Sequence, residues 1–259
     1  MPCRINKARK WTARLVLEAC VHPQASFITL TYDEENIPDG GTLVPRDLQL
    51  WLKRYRLLKP FRYFAVGEYG DLTWRPHYHV AMFGVGRSDA LDIRRTWGKG
   101  LTDTGDLTIQ SARYIAGYVT KKLTRSDDPR LSPGIHPEFA RMSLRPGIGA
   151  PAIHGFAEAF SGKAGQQYIA ATGDVPSMFK TGRNSLPLDR YVRDRLRTEL
   201  GVTPVSYPEE ARAKFKEMLR VYENSKTTET LTAFNRSKTQ QKILQQITKQ
   251  KIYSQRGKL

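Results

Sequence analysis

Residues 61–84 read Phe61-Arg-Tyr-Phe-Ala-Val-Gly-Glu-Tyr69, a linker from Gly70 to Pro76, then His77-Tyr-His-Val-Ala-Met-Phe-Gly84. Two runs rich in aromatic and apolar residues flank turn signals at Gly70, Asp71 and Pro76. The pattern predicts two successive strands, 61–69 and 77–84. Upstream, Ser26-Phe-Ile-Thr-Leu-Thr-Tyr32 alternates apolar residues with Thr and predicts another strand, closed by Pro38, Gly40 and Gly41. Between them Pro45 opens a helix whose stripe is Leu48, Trp51, Leu52, Tyr55 and Leu58, and Pro60 stops it. Residues 4–19 place Trp11, Leu15 and Ala19 at helical spacing among Arg4, Lys7, Arg9, Lys10 and Arg14, a helix with a basic outer face.

Downstream the spacing predicts a short helix over 88–97 with Ser88 as N-cap, a strand over 106–110 and a helix over 111–123. The order β-α-β-β-α-β-α implies an α+β domain, one sheet with helices on one face. Residues 124–184 are rich in Pro and Gly and show no periodicity. A basic helix is expected over 186–200 and another from Pro208 through Tyr222. The segment from Thr230 onward has no Asp or Glu and reads as a basic extension, helical or disordered. The expected division is a domain over 1–200 and a tail over 201–259.

The chain has 259 residues, 39% hydrophobic and 10% aromatic, enough for a core and against wholesale disorder. Its 42 Lys+Arg against 25 Asp+Glu give a formal charge of +17, which points to a polyanion such as nucleic acid. No window approaches the roughly 18 apolar residues of a membrane span. The apolar run 15–21 is short and carries Glu18, against a signal peptide. Two cysteines, Cys3 and Cys20, make no disulfide scaffold and suit a reducing cytoplasm.

His77 and His79 are two apart on a predicted strand, so they share a face, close enough for one divalent ion to bind both. Histidines so spaced also occur as ordinary hydrogen-bonded groups. Glu68 joins that face if the hairpin pairs it with His77, a register that one sequence leaves open. Two imidazoles and a carboxylate with open positions suit Mg²⁺, Mn²⁺ or another divalent ion. His22, His136 and His154 lack partners at ligand spacing and read as structural. On the predicted helix Tyr114 and Tyr118 are neighbours, with Lys121 and Lys122 a turn further on. A tyrosine pair at this spacing is ordinarily core packing, yet a phenol can attack a polarised electrophile such as a metal-bound phosphodiester. Trp74 and Tyr78 could stack on unpaired bases or, equally, pack in the core.

The strand at 27–32, Gly67-Glu-Tyr-Gly70, Arg75-Pro-His-Tyr-His79, and Tyr114-x-x-x-Tyr118 with Lys121-Lys122 together resemble the replication initiators of small single-stranded-DNA phages. The likeness is to the gokushovirus branch of the microviruses, within the HUH endonucleases. It spans most of the first 150 residues and includes Met142-Ser-Leu-Arg-Pro-Gly-Ile-Gly149. Relatives often open with several cysteines before Pro-Cys-Arg; only Pro2-Cys3-Arg4 is present here, so no metal role is carried over to Cys3.

The resemblance implies an HUH, RRM-like nuclease fold with a central antiparallel sheet. It implies that His77 and His79 bind Mg²⁺ or Mn²⁺ with Glu68 as third ligand. Tyr114 and Tyr118 would be paired nucleophiles, and Lys121 or Lys122 would contact the scissile phosphate or the phenolate. The implied activity is rolling-circle initiation in the host cell cytoplasm: nicking and rejoining single-stranded DNA at the phage origin through a 5′-phosphotyrosine. The sequence has no P-loop, so a host helicase and a host DNA polymerase are expected partners. The alternatives are a non-catalytic basic nucleic-acid-binding protein and an HUH relaxase or transposase. Relaxases usually add a third histidine and such transposases carry one catalytic tyrosine, and both features favour an initiator.

Overall fold

A computed structural model describes residues 2–70, 73–118, 131 and 133–203. Five antiparallel strands form the central sheet in the order β4-β1-β3-β2-β5. They are β1 (Ala25–Thr31), β2 (Arg62–Tyr69), β3 (Pro76–Phe83), β4 (Thr102–Asp106) and β5 (Phe139–Met142). The fold is α+β, with β3 at the sheet centre.

Helices cover both faces, not one. On one side α2 (Pro45–Arg56) and α3 (Ala90–Trp97) bury Leu48, Trp51, Tyr55, Ile93 and Trp97 against Ile28, Leu30, Tyr78, Val80 and Met82. On the other, α1 (Pro2–Cys20) and α4 (Ile109–Tyr118) bury Leu15, Ala112, Ile115 and Ala116 against Phe64, Val66, Ala81 and Phe83. The near-continuous apolar runs of β2 and β3 carry this information: strands covered on both faces lose the polar half of the alternation. At each full burial of a Leu- or Phe-sized side chain roughly 1.5–3 kcal/mol is gained, so the paired layers hold the central strands firmly.

Several boundaries differ from the sequence reading. The stripe of α2 ends at Tyr55, and Leu58 lies past the helix, half exposed. Ser88 caps nothing: it lies in a 3-10 turn (Arg87–Asp89), and the Asp89 carboxylate instead accepts the Gly86 N–H at 2.8 Å and binds Lys59. The strand expected at 106–110 is β4, ending at Asp106. The polar run Thr102-Asp-Thr-Gly-Asp106 carries no apolar alternation because it is an edge paired only with β1. Thr108 and Ser111 exchange side-chain and backbone bonds, starting α4 at Ile109.

Residues 139–187 are more ordered than their Pro and Gly content implies. They supply β5, α5 (Ile153–Phe160), α6 (Lys163–Thr172) and a hairpin of β6 (Met178–Thr181) and β7 (Asn184–Pro187). The basic helix is α7 (Arg190–Leu200); it starts after 186 because Asp189 accepts the Val192 N–H as N-cap. Of these elements α5, β6 (through Phe179) and α7 share a third apolar cluster with Leu17 of α1. Arg14 therefore leaves the basic outer face of α1. It lies between the Trp11 and Tyr191 rings, bound to Asp189 and the Ile148 carbonyl, and burial lowers its pKa. The helix expected after Pro208, the basic tail, Lys121 and Lys122 lie outside the described residues.

Candidate metal centre and active site

The register of the sheet assembles the site. β2 and β3 pair Glu68 with His77 and Val66 with His79, while β1 sets Thr31 beside His77 and Thr29 beside His79. The hairpin thus adopts the register on which the carboxylate's place on the histidine face depended. On the opposite face Gly67 makes room for β5: a Cβ there would lie 2.7 Å from the Phe139 ring. The Tyr78 ring between the histidines points to the opposite face, where its hydroxyl bonds Tyr32 and both backbone groups of Val44. Burial pushes that phenol up to about 12. Fully buried, Tyr78 offers no surface for a base; Trp74 is 48% exposed and does.

Glu68 Oε1 stands 2.8 Å from Nε2 of both His77 and His79. Glu68 and His79 are buried and His77 is half-buried. The far nitrogens are held in turn: His77 Nδ1 lies 3.1 Å from the Arg75 carbonyl and His79 Nδ1 lies 3.0 Å from the Thr29 hydroxyl. A carbonyl can only accept, so His77 Nδ1 carries a proton, and in the neutral ring Nε2 presents a lone pair. His79 takes the same form when Thr29 accepts. The centre then gathers lone pairs from two imidazoles and a carboxylate, which repel unless a cation or proton lies among them. This donor set fits a divalent ion, with each histidine oriented by a partner behind it. The separations of 2.8 Å are close to the roughly 3 Å between adjacent ligands of an ion held at about 2.1 Å in octahedral geometry.

α4 crosses the same sheet face and carries both tyrosines to it. The Tyr114 hydroxyl reaches 3.4 Å from His79 Nε2 and 3.5 Å from Glu68 Oε1, and the residue is 48% exposed. Tyr118 is half-buried, its ring stacked on His79 at 5.8 Å and edge-on to Tyr114 at 5.0 Å. Glu68, His77, His79, Tyr114 and Tyr118 are therefore brought together. His22, His136 and His154 stay apart, bound to Glu18, the Pro137 carbonyl and Glu199.

Three contributors were missed from sequence. Thr29 and the Arg75 carbonyl orient the histidines, and the Phe27 ring stacks on His79 at 5.3 Å. The alternation of Phe27-Ile-Thr-Leu-Thr31 puts Phe27, Thr29 and Thr31 on one face, but which strand that face adjoins is a matter of register. The stretch 142–149 has a structural tie: Glu18 accepts the Gly149 N–H, and Arg14 donates to the Ile148 carbonyl.

Residues 25–123, a span containing all five site residues, match the family model described as replication-associated protein ORF2/G2P. The chain is 33% identical over 153 residues to replication-associated protein VP4 of Bdellovibrio phage phiMH2K, covering 49% of this chain and 48% of that one. It is 33% identical over 173 residues to replication-associated protein ORF2 of Spiroplasma virus 4, covering 57% and 53%. With replication-associated protein ORF4 of Chlamydia phage 1 it shares 27% over 146 residues, covering 46% and 36%. The chain spans about half the length of the first two of these relatives. No solved structure matches it. No helix among the described residues is long and apolar enough to cross a membrane.

Proposed function

We propose that this phage Rep-like chain initiates replication by nicking single-stranded origin DNA through a covalent phosphotyrosine, with Tyr114 as the first nucleophile. The observation that carries the reading is the Tyr114 hydroxyl at the rim of the Glu68–His77–His79 centre. His77, His79 and Glu68 would hold Mg²⁺ or Mn²⁺, which when bound supplies charge withdrawal from a phosphate oxygen. The Arg75 carbonyl keeps His77, and the Thr29 hydroxyl when it accepts keeps His79, in the tautomer that ligation requires. Glu68, with a second lone-pair direction on Oε1, accepts the hydrogen bond that aims the Tyr114 oxygen. That oxygen attacks phosphorus, the phenol proton leaves to solvent or a neighbouring base, and the 3′-oxygen departs with the 5′ end held on tyrosine.

The bond energy is conserved in the tyrosine ester, so rejoining needs no nucleotide cofactor. Tyr118, one turn along, is the acceptor for the second cut after a round of synthesis; the freed 3′-hydroxyl then displaces Tyr114 and closes the circle. Lys121 or Lys122 would neutralise the phosphate or phenolate. In this reading residues 1–200 carry the chemistry, 201–259 add phosphate affinity, and a host helicase and polymerase supply unwinding and synthesis in the host cytoplasm. The test is incubation with labelled origin single strands and Mn²⁺, followed by a denaturing gel and mapping of the DNA-linked peptide. A Mn²⁺-dependent adduct on Tyr114 or Tyr118 is expected. Absence of an adduct on any origin fragment leaves the non-catalytic binder as the better reading.

A further inference from the structure

We propose that the β6–β7 hairpin, with the parts of α1 and α4 it lies against, forms a phosphate-binding rail that leads single-stranded DNA to the tyrosine helix. Four cations meet there. Lys180 is exposed and pairs across the hairpin with Ser185; Arg183 is exposed at the turn beside Gly182, whose φ of 53° closes it. From α1, Arg9 donates to the Ser185 carbonyl at 3.2 Å. From α4, Arg113 donates to the Asn184 side chain. Among the described residues none of the four forms an ion pair, whereas Arg14, Arg62, Arg193 and Arg197 are each matched by a carboxylate.

The hairpin is rooted so that this charge faces outward. Phe179 and Leu186 pair across it on the packed side, Leu186 buried and the Phe179 ring 6.0 Å from Phe156. Strand alternation turns Lys180 the other way. Like charges gathered on and beside one short hairpin repel one another, and a polyanion lying across them relieves that repulsion. Asn184 and Ser185 place neutral polar groups between the cations, as phosphate-tracking surfaces commonly do. Arg113 immediately precedes Tyr114, so a backbone following the cluster arrives at the candidate nucleophile. An acidic protein segment would meet the same charge, but the adjoining phenol calls for a phosphodiester.

The inference rests on the nickase reading for the identity of the polyanion, and the test separates the two. Lys180→Gln with Arg183→Gln is made in the full chain, beside a charge-matched control, Lys53→Gln with Arg94→Gln. The control residues are exposed on α2 and α3, across the sheet from the site. Binding of a fluorescent oligothymidylate is titrated without divalent ion across a salt series, and melting temperature is recorded. Each lost single-strand phosphate contact lowers the log–log salt slope by about 0.7, so the hairpin variant should lose about 1.4 in slope and about tenfold in affinity near 0.15 M salt. Its melting temperature should hold or rise as repulsion falls, and the control should bind like wild type. Equal slopes for hairpin variant and wild type, or equal losses in hairpin variant and control, overturn the rail. Origin nicking by wild type is scored separately: a nicking protein with an unchanged salt slope refutes the rail alone. A rail-dependent binder that never nicks refutes the nickase alone. Preferential competition by polyglutamate over oligothymidylate assigns the surface to an acidic protein and also overturns the proposal.

Discussion

The Tyr114 hydroxyl lies 3.4 Å from Nε2 of His79, on the nitrogen that faces Glu68. If His79 is a metal ligand as proposed, a phenol in this place needs little movement to reach a phosphate held at the metal, while Tyr118 stacks its ring on the same histidine. Tyr114→Phe should therefore cut first-step adduct formation by about two orders of magnitude, the scale of removing a positioned catalytic group. Tyr118→Phe should nick nearly normally but fail to release circles. The double variant should form no adduct. Covalent capture on a denaturing gel, paired with a circle-release assay, reads both steps; adduct in the double variant would place the nucleophile elsewhere.

Thr29 stands behind His79 and fixes the ring from Nδ1. Loss of such a support typically costs 10–100-fold in metal affinity. Thr29→Val, nearly isosteric, should weaken Mn²⁺ binding within that range by calorimetry, and Thr29→Ser should restore most of it. Wild-type affinity in the Val variant would mean that packing against Phe27 alone orients the imidazole.

How far the sequence foretold these contacts depended on whether a neighbour was local or across the sheet. The helices α1 and α2 and strands β1 to β3 were legible because their apolar periodicity is set by the core they face. His77 and His79 could be put on one face from spacing alone. Glu68 needed register, and register depends on which residue the neighbouring strand sets opposite, which one strand does not announce. Helices on both faces went unread although the near-continuous apolar runs of β2 and β3 carried that signal. The hairpin at 178–187 was missed because Lys180, Thr181 and Ser185 look like loop residues. Its order comes from the distant partners Phe156, Arg9 and Arg113.

Glu18 is fully buried on α1, where it accepts from Arg62 Nε and the Gly149 N–H and so ties the helix to β2 and to the 146–149 turn. Removing one partner of a buried pair strands the other, at about 3–5 kcal/mol. Glu18→Leu should destabilise by about 3 kcal/mol in urea unfolding, since Arg62 keeps a bond to the Pro146 carbonyl. Adding Arg62→Leu should recover part of the loss. A double variant no better than the single one would locate the cost in the Gly149 contact instead.

Asp174 ties the 173–175 turn to α7. Its carboxylate accepts from Arg197 Nε at 2.8 Å and Nη2 at 2.7 Å, from Arg193, and from the Val175 N–H at 2.7 Å. The Arg197 hydrogen bonds foremost hold its pKa down, to about 2. A depressed carboxylate pKa stabilises the fold fully above the unfolded-state value near 4 and loses that stabilisation as pH falls towards 2. With its side chain 25% exposed, the group is screened, so a contribution of about 1 kcal/mol is expected at neutral pH. Asp174→Asn should be less stable by that amount at pH 7, and the gap from wild type should narrow as pH falls from 4 towards 2, closing below that, where the Asp174 carboxyl is neutral too. Urea unfolding of the two proteins across that range supplies the comparison. A gap that stays constant down to pH 2 would show that the arginines gain nothing from the carboxylate's charge.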